Sequence, residues 1–111
     1  VVTGVLKPDK TVGDLIAAVF PGGSITGAPK IRAMEVIAEI EGQGRGIYCG
    51  SIGYFGFNGQ VDLSIAIRTA MFSQGTARFQ GGGGITARSE PAAEYEETLT
   101  KISRIMEAFA T

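Results

Sequence analysis

Four consecutive glycines, Gly81–Gly84, constrain this chain more than any other feature. They open the stretch "GGGGITARSEPAAEYEETLTK" (Gly81–Lys101), which leads into a segment repeating glutamate at helical spacing. Glycine in extended chain costs backbone entropy and packs nothing. A run of this length fits a place where another backbone, or a ligand, must come very close.

The 111 residues suffice for one small domain, and 44% hydrophobic residues with a mean hydropathy of +0.18 favour folding over disorder. Net charge is −1 with no basic run, which argues against nucleic acid as a partner. No apolar run is long enough to span a bilayer, and the start carries no signal-peptide pattern, so no membrane partner is expected. Cys49 is the one cysteine and suits a reducing compartment, hence an expected cytoplasmic location. There is no histidine, so the commonest general base and metal ligand is missing. The chain opens at Val1, without an initiator Met, in what reads as a strand; part of something larger is expected.

Val1–Leu6 reads as a short strand and Pro8-Asp9-Lys10 as a turn. Thr11 caps a helix through Val19, with Val12, Leu15, Ile16 and Val19 at helical spacing. "FPGGSITGAPK" (Phe20–Lys30) is a loop by composition. A second helix follows Thr26 or Ala28, holds Pro29 in its first turn and stops at Gly42, burying Ile31, Met34 and Ile37. Ile47–Phe57 and Gln60–Phe72 read as a hairpin across a two-residue Asn58-Gly59 turn, and Thr76–Arg88 as a third strand. Ser89 is a good N-cap for a last helix from about Glu90 to Phe109. The expected class is α+β: an antiparallel sheet with helices on one face.

In the middle strand Val61, Leu63, Ile65, Ile67, Thr69 and Met71 share a core face, and Asp62, Ser64, Ala66 and Arg68 the other. A two-residue turn puts Ser64 opposite Gly53, Ala66 opposite Ser51 and Arg68 opposite Cys49. A turn at Gln74-Gly75 then brings Gly81–Gly84 beside Ala66–Arg68. A guanidinium next to bare backbone amides is a good carboxylate receptor; the plainer reading is a bulge or bend. On the last helix Tyr95, Leu99, Ile102, Met106 and Phe109 form the stripe to be buried. Glu90, Glu94, Glu97 and Lys101 occupy another face. Glu94 and Glu97 can converge on a hard cation such as Mg²⁺, but spacing alone favours the plainer reading, a solvated face with a Glu97–Lys101 pair worth about 0.3 kcal/mol. Ser24 and Thr26 offer hydroxyls in a glycine loop that lacks P-loop spacing. Cys49 reads as a small packing residue, with no histidine to activate it.

Together, "FPGGSITGAPKIRAMEVI", "YCGSIGYFGFNGQVDLSIAIRT" and the glycine–glutamate stretch, in this order, resemble the C-terminal part of the chorismate-utilising enzymes. The likeness covers nearly all of the chain and is greatest to the aminodeoxychorismate (para-aminobenzoate) synthase component I family. Gly23-Ser24-Ile25-Thr26 and Tyr48-Cys49-Gly50-Ser51 side with it against anthranilate synthase component I. The resemblance implies that residues 1–111 are the C-terminal portion of one chorismate-binding catalytic domain, about half of a two-sheet fold. It implies chorismate as substrate, with Tyr48, Arg68 and the backbone of Gly82, Gly83 and Gly84 on its pyruvyl carboxylate, and Ser24 near the ring carboxylate. It implies Mg²⁺ held by Glu97 with Glu94 nearby, and ammonia from a glutamine amidotransferase partner. The reaction would replace the C4 hydroxyl of chorismate by an amino group, feeding para-aminobenzoate and folate synthesis.

Two points fit the resemblance less smoothly. The expected register puts Tyr48 and Arg68 on opposite faces, so a bulge at Gly50, Gly53 or Gly56 is needed. Arg88 stands where the family usually has an acidic residue. The family's second metal glutamate and the lysine expected to attack substrate belong to its N-terminal half, so this chain alone is expected to be inactive and to self-associate through an exposed sheet face. The rivals are anthranilate synthase component I and, from another class, a non-catalytic module that binds a small carboxylate or packs on a partner.

Overall fold

The computed structural model describes residues 2–110. It is α+β, as expected, but its strands form two separate antiparallel hairpins. Helix α1 (Val12–Val19) starts where the sequence places it, under a capping box in which the Asp14 amide donates to the Thr11 hydroxyl and the Thr11 amide donates to the Asp14 carboxylate. The loop after it contains a one-turn helix, α2 (Gly23–Thr26). Helix α3 (Lys30–Glu41) has Pro29 as its N-cap and ends at Gly42 in the left-handed conformation (φ 62°), a turn that glycine adopts without a Cβ penalty. Residues 2–6, expected as a strand, have no regular structure, and Val1 lies outside the described residues.

Strands β1 (Ser51–Phe55) and β2 (Val61–Ile65) pair with Ser64 opposite Ile52 and Leu63 opposite Gly53, one residue away from the expected register. The cause is the turn. Gly56 donates to the Gln60 carbonyl, Gly59 donates back to Gly56, and Gly59 has φ 83°. This is a three-residue loop with its glycine in the left-handed position, instead of a two-residue turn. At the other end of the ladder Cys49 donates to the Ala66 carbonyl while Ala66 donates to Gly50. Two residues thus face one, which makes a bulge at Cys49–Gly50 with Cys49 at φ 64°.

The expected long middle strand breaks after Ile65. Ile67 donates back to the Ile65 carbonyl and Arg68 turns left-handed (φ 53°), so the chain leaves β2 and restarts as β3 (Ala70–Ser73), paired with β4 (Thr76–Phe79). The third strand stops at Phe79, and Gly81–Gly84 do not pair beside Ala66–Arg68. Helix α4 (Pro91–Glu107) closes the described chain.

The apolar faces are largely uncovered. Ala66 is the one buried residue among those described, although the sequence puts it on the face opposite the core. Val61, Leu63, Ile65 and Ile67, the expected core face, are exposed, as are Ile31, Met34, Tyr95, Met106 and Phe109 of the helical stripes. Accessible surface is 9093 Å², whereas a compact protein of 11.6 kDa exposes about 5,800 Å². The radius of gyration is 16.9 Å against about 13 Å for a compact chain of this length.

Candidate functional site

The glycine run sits on α4 and beneath the turn that carries Tyr48. None of its four residues has a left-handed φ; what excludes a side chain is space. A Cβ on Gly81 would overlap Ile102 Cγ2. One on Gly82 would lie 2.9 Å from the Tyr48 hydroxyl. One on Gly83 would lie 3.1 Å from Glu94 Oε2, 3.6 Å from Lys101 Nζ and 3.8 Å from Glu97 Oε1. Gly84 faces open space. Bare backbone therefore meets a phenol on one side and two carboxylates with an ammonium on the other.

Helical spacing brings those charged groups together. Positions 94, 97 and 101 are three and four apart and share one face of α4. Lys101 pairs with Glu97 and also donates to the Gly82 carbonyl at 3.2 Å, so one ammonium ties helix to glycine run. The Glu94 carboxylate accepts from the Ser89 hydroxyl at 2.5 Å. Glu94 and Glu97 thus aim oxygen atoms at one point, the donor chemistry a hard cation takes. No group of three His, Cys, Asp or Glu converges among the described residues, so these two carboxylates alone do not make a full ligand set.

Tyr48 is held from its other side. Arg45 donates to Glu41 through Nε at 2.8 Å and Nη2 at 2.6 Å, and its guanidinium lies 5.7 Å from the Tyr48 ring centroid. Burial, with Cys49 beside it, pushes the Tyr48 phenol above its ordinary value, so at neutral pH it remains an O–H donor. The hydrogen bonds from Arg45 hold the Glu41 carboxyl below its usual range. Because that folded value is depressed, the pair's contribution is present above the ordinary carboxylate pKa and is lost as pH falls through the lower folded value. Acidification through the depressed folded value of Glu41, below the ordinary carboxylate range, is expected to release the Arg45 guanidinium from Glu41. The check is the Arg45 Nε–H signal in a ¹⁵N NMR pH titration; a signal unmoved down to pH 2 would contradict the pairing. Residues from Phe20 to Gly50, including Ile25, Met34 and Ile37, line an apolar groove of about 300 Å³ that reaches Tyr48 and Cys49.

Of the residues singled out from sequence, Tyr48, Gly82, Gly83, Glu94 and Glu97 come together. Arg68 does not join them. It is exposed at the kink after β2 and makes no side-chain hydrogen bond or ion pair with the described residues. The expected Arg68–glycine receptor needs a strand that runs on through Gly81–Gly84, whereas β4 stops at Phe79. Ser24 is exposed on α2 and is not among the residues lining the groove. From sequence, Lys101 reads only as a partner of Glu97 and Ser89 only as a helix cap. The spacing from Glu97 to Lys101 was the visible signal for the first; the second had none.

Comparison with known proteins places the chain in a family. The family model for chorismate binding enzymes matches residues 1–107, and the chain belongs to that family. It is 55% identical to aminodeoxychorismate synthase component 1 of Klebsiella aerogenes over 95% of its own length and 23% of the relative's. Against the same component of Salmonella typhimurium it is 57% identical over 84% of its length and 20% of the relative's. Anthranilate synthase component 1 of Neisseria gonorrhoeae is 49% identical over 96% of the chain and 22% of the relative. The chain thus spans about a fifth of the length of these relatives.

Proposed function

We propose that this chain supplies the C-terminal part of the chorismate site of an aminodeoxychorismate synthase, which replaces the C4 hydroxyl of chorismate by ammonia with loss of water. The observation that carries the reading is the meeting of the Tyr48 hydroxyl, the Gly82–Gly83 backbone and the Glu94–Glu97–Lys101 cluster. In this reading the Tyr48 O–H and the open backbone of Gly82–Gly84 hold the pyruvyl carboxylate, and Arg68, which stands apart at the kink, would have to swing in to reach it. Ser24, exposed on α2, is the hydroxyl this reading assigns to the ring carboxylate. Lys101 fixes Glu97 and the glycine carbonyl in register. Glu97, with Glu94, would hold Mg²⁺, which when bound would offset the charge of a dianionic substrate and polarise the departing hydroxyl. A glutamine amidotransferase supplies the ammonia, and the setting is the cytoplasm. No helix of the described residues is long and apolar enough to cross a membrane.

The higher identity to aminodeoxychorismate synthases favours this reaction over the anthranilate one, which stays as the second reading at 49%. The test is a pair of hybrids. In one, the chain replaces the matching fifth of the Klebsiella relative; in the other, that of the Neisseria relative. Each receives chorismate, Mg²⁺ and ammonium, and products are identified by mass spectrometry. Aminodeoxychorismate from the first, within about tenfold of the unaltered relative, is expected together with a failing second hybrid, since a misplaced site costs about a hundredfold. Anthranilate and pyruvate from the second with a silent first would favour the rival. Silence from both would overturn the site assignment.

A further inference from the structure

We propose that Ser89 is a positioning residue whose hydroxyl holds the Glu94 carboxylate against the glycine run. The inference rests on the site reading above. A serine before a helix normally accepts an amide N–H from the helix's first turn. Here it does not. Helix α4 has Glu90 as N-cap with no side-chain cap hydrogen bond, and Pro91, in its first turn, has no N–H to give.

The Ser89 oxygen instead accepts the Thr86 amide at 3.0 Å. A hydroxyl has one proton, and with its oxygen facing Thr86 that proton goes to Glu94 Oε1 at 2.5 Å. The turn beneath it is tied down twice more: Ser89 donates its own amide to the Thr86 carbonyl at 3.0 Å, and Arg88 donates its amide to Thr86 Oγ1 at 3.3 Å. The Thr86 and Ser89 hydroxyls also approach to 3.4 Å. Glutamate has three rotatable side-chain bonds; with Oε1 anchored to a fixed turn, Oε2 is left facing Gly83. The segment 86–89 therefore sets where Glu94 presents its second oxygen.

Ser89→Ala and Ser89→Thr in the Klebsiella hybrid test this. Crystal structures are expected to show the Glu94 carboxylate swung away from Gly83 in Ser89→Ala and in place in Ser89→Thr, with α4 starting at Pro91 in both. Mn²⁺ affinity, read by electron paramagnetic resonance without chorismate, is expected to fall about tenfold in Ser89→Ala and to recover in Ser89→Thr. A Glu94 carboxylate that keeps its place in Ser89→Ala, or a first turn of α4 that unwinds instead, would overturn the proposal. If the unsubstituted hybrid binds no Mn²⁺, the metal reading fails on its own. The position of Glu94 in the two crystal structures still decides the role of Ser89.

Discussion

Glu97→Ala, introduced into the aminodeoxychorismate synthase hybrid, is expected to lower kcat/KM by at least about a hundredfold, roughly 2.7 kcal/mol of transition-state stabilisation. Two features of the site set that size. Glu97 Oε1 and Glu94 Oε2 face the same point on Gly83, so removing one halves the carboxylate charge this chain presents there. The substitution also frees the Lys101 ammonium, which pairs with Glu97 and reaches the Gly82 carbonyl. An unpaired cation beside the glycine run then competes with any divalent ion for the remaining carboxylate. The rate is therefore expected to lose its dependence on added Mg²⁺ along with its magnitude. Glu97→Gln, which keeps the shape, separates charge from packing and is expected to fail nearly as badly. Steady-state kinetics over a Mg²⁺ series decide the matter. A silent Glu97→Ala would remove the metal reading and favour a non-catalytic carboxylate-binding module.

The chain by itself is expected to form no product and to associate. Its 9093 Å² of accessible surface exceeds that of a compact 11.6 kDa protein by roughly 3,200 Å². Permanent interfaces bury about 2,000–5,000 Å² in total, so the excess is large enough to demand cover. It also lies where cover is most needed. Ile52, Tyr54, Phe55, Leu63 and Ile65 are exposed on a two-stranded sheet, a unit that is marginal in water without packing. With a net charge of −1, copies repel one another weakly. Sedimentation velocity is expected to give a weight-average mass that rises with concentration, and a hydrophobic dye is expected to bind strongly. A single sharp 11.6 kDa species that binds no dye would show that the chain closes over its own apolar faces.

Where a local signal fixes geometry, sequence and structure agree. Thr11 and Asp14 form the box that starts α1, and Gly42 ends α3 with the left-handed turn its position calls for. The glutamates on α4 follow from helical spacing alone. The hairpin shows how little separates agreement from error. Asn58-Gly59 serves a two-residue turn or the end of a three-residue one, and the second slips the ladder by one position. The break after Ile65 carries neither glycine nor proline; the turn is made by Arg68 against its own preference, so nothing in the composition of residues 66–69 announces it. The bulge expected at Gly50, Gly53 or Gly56 occurs at Cys49–Gly50, but it does not bring Arg68 to Tyr48, because the chain turns away after Ile65. Periodicity marked the stripe on α4 but not what covers it, because covering depends on partners remote in sequence. Ser89 was legible as a cap and acts elsewhere, since a hydroxyl's choice of acceptor is decided by the turn below it.

The ion pair between Lys101 and Glu97 also bears on how such a protein is made. A site built from bare carboxylates would resist folding until a cation arrived, as like charges push the helix away from the backbone it must meet. Here the polypeptide brings its own counter-charge, tethered four residues along the same helix and anchored to a carbonyl across the gap. Assembly of this corner thus needs no metal ion, and under the Mg²⁺ reading a chelator is expected to leave the fold intact. If Glu97 takes a metal ion, the tethered ammonium is the charge already balancing that carboxylate before the ion arrives.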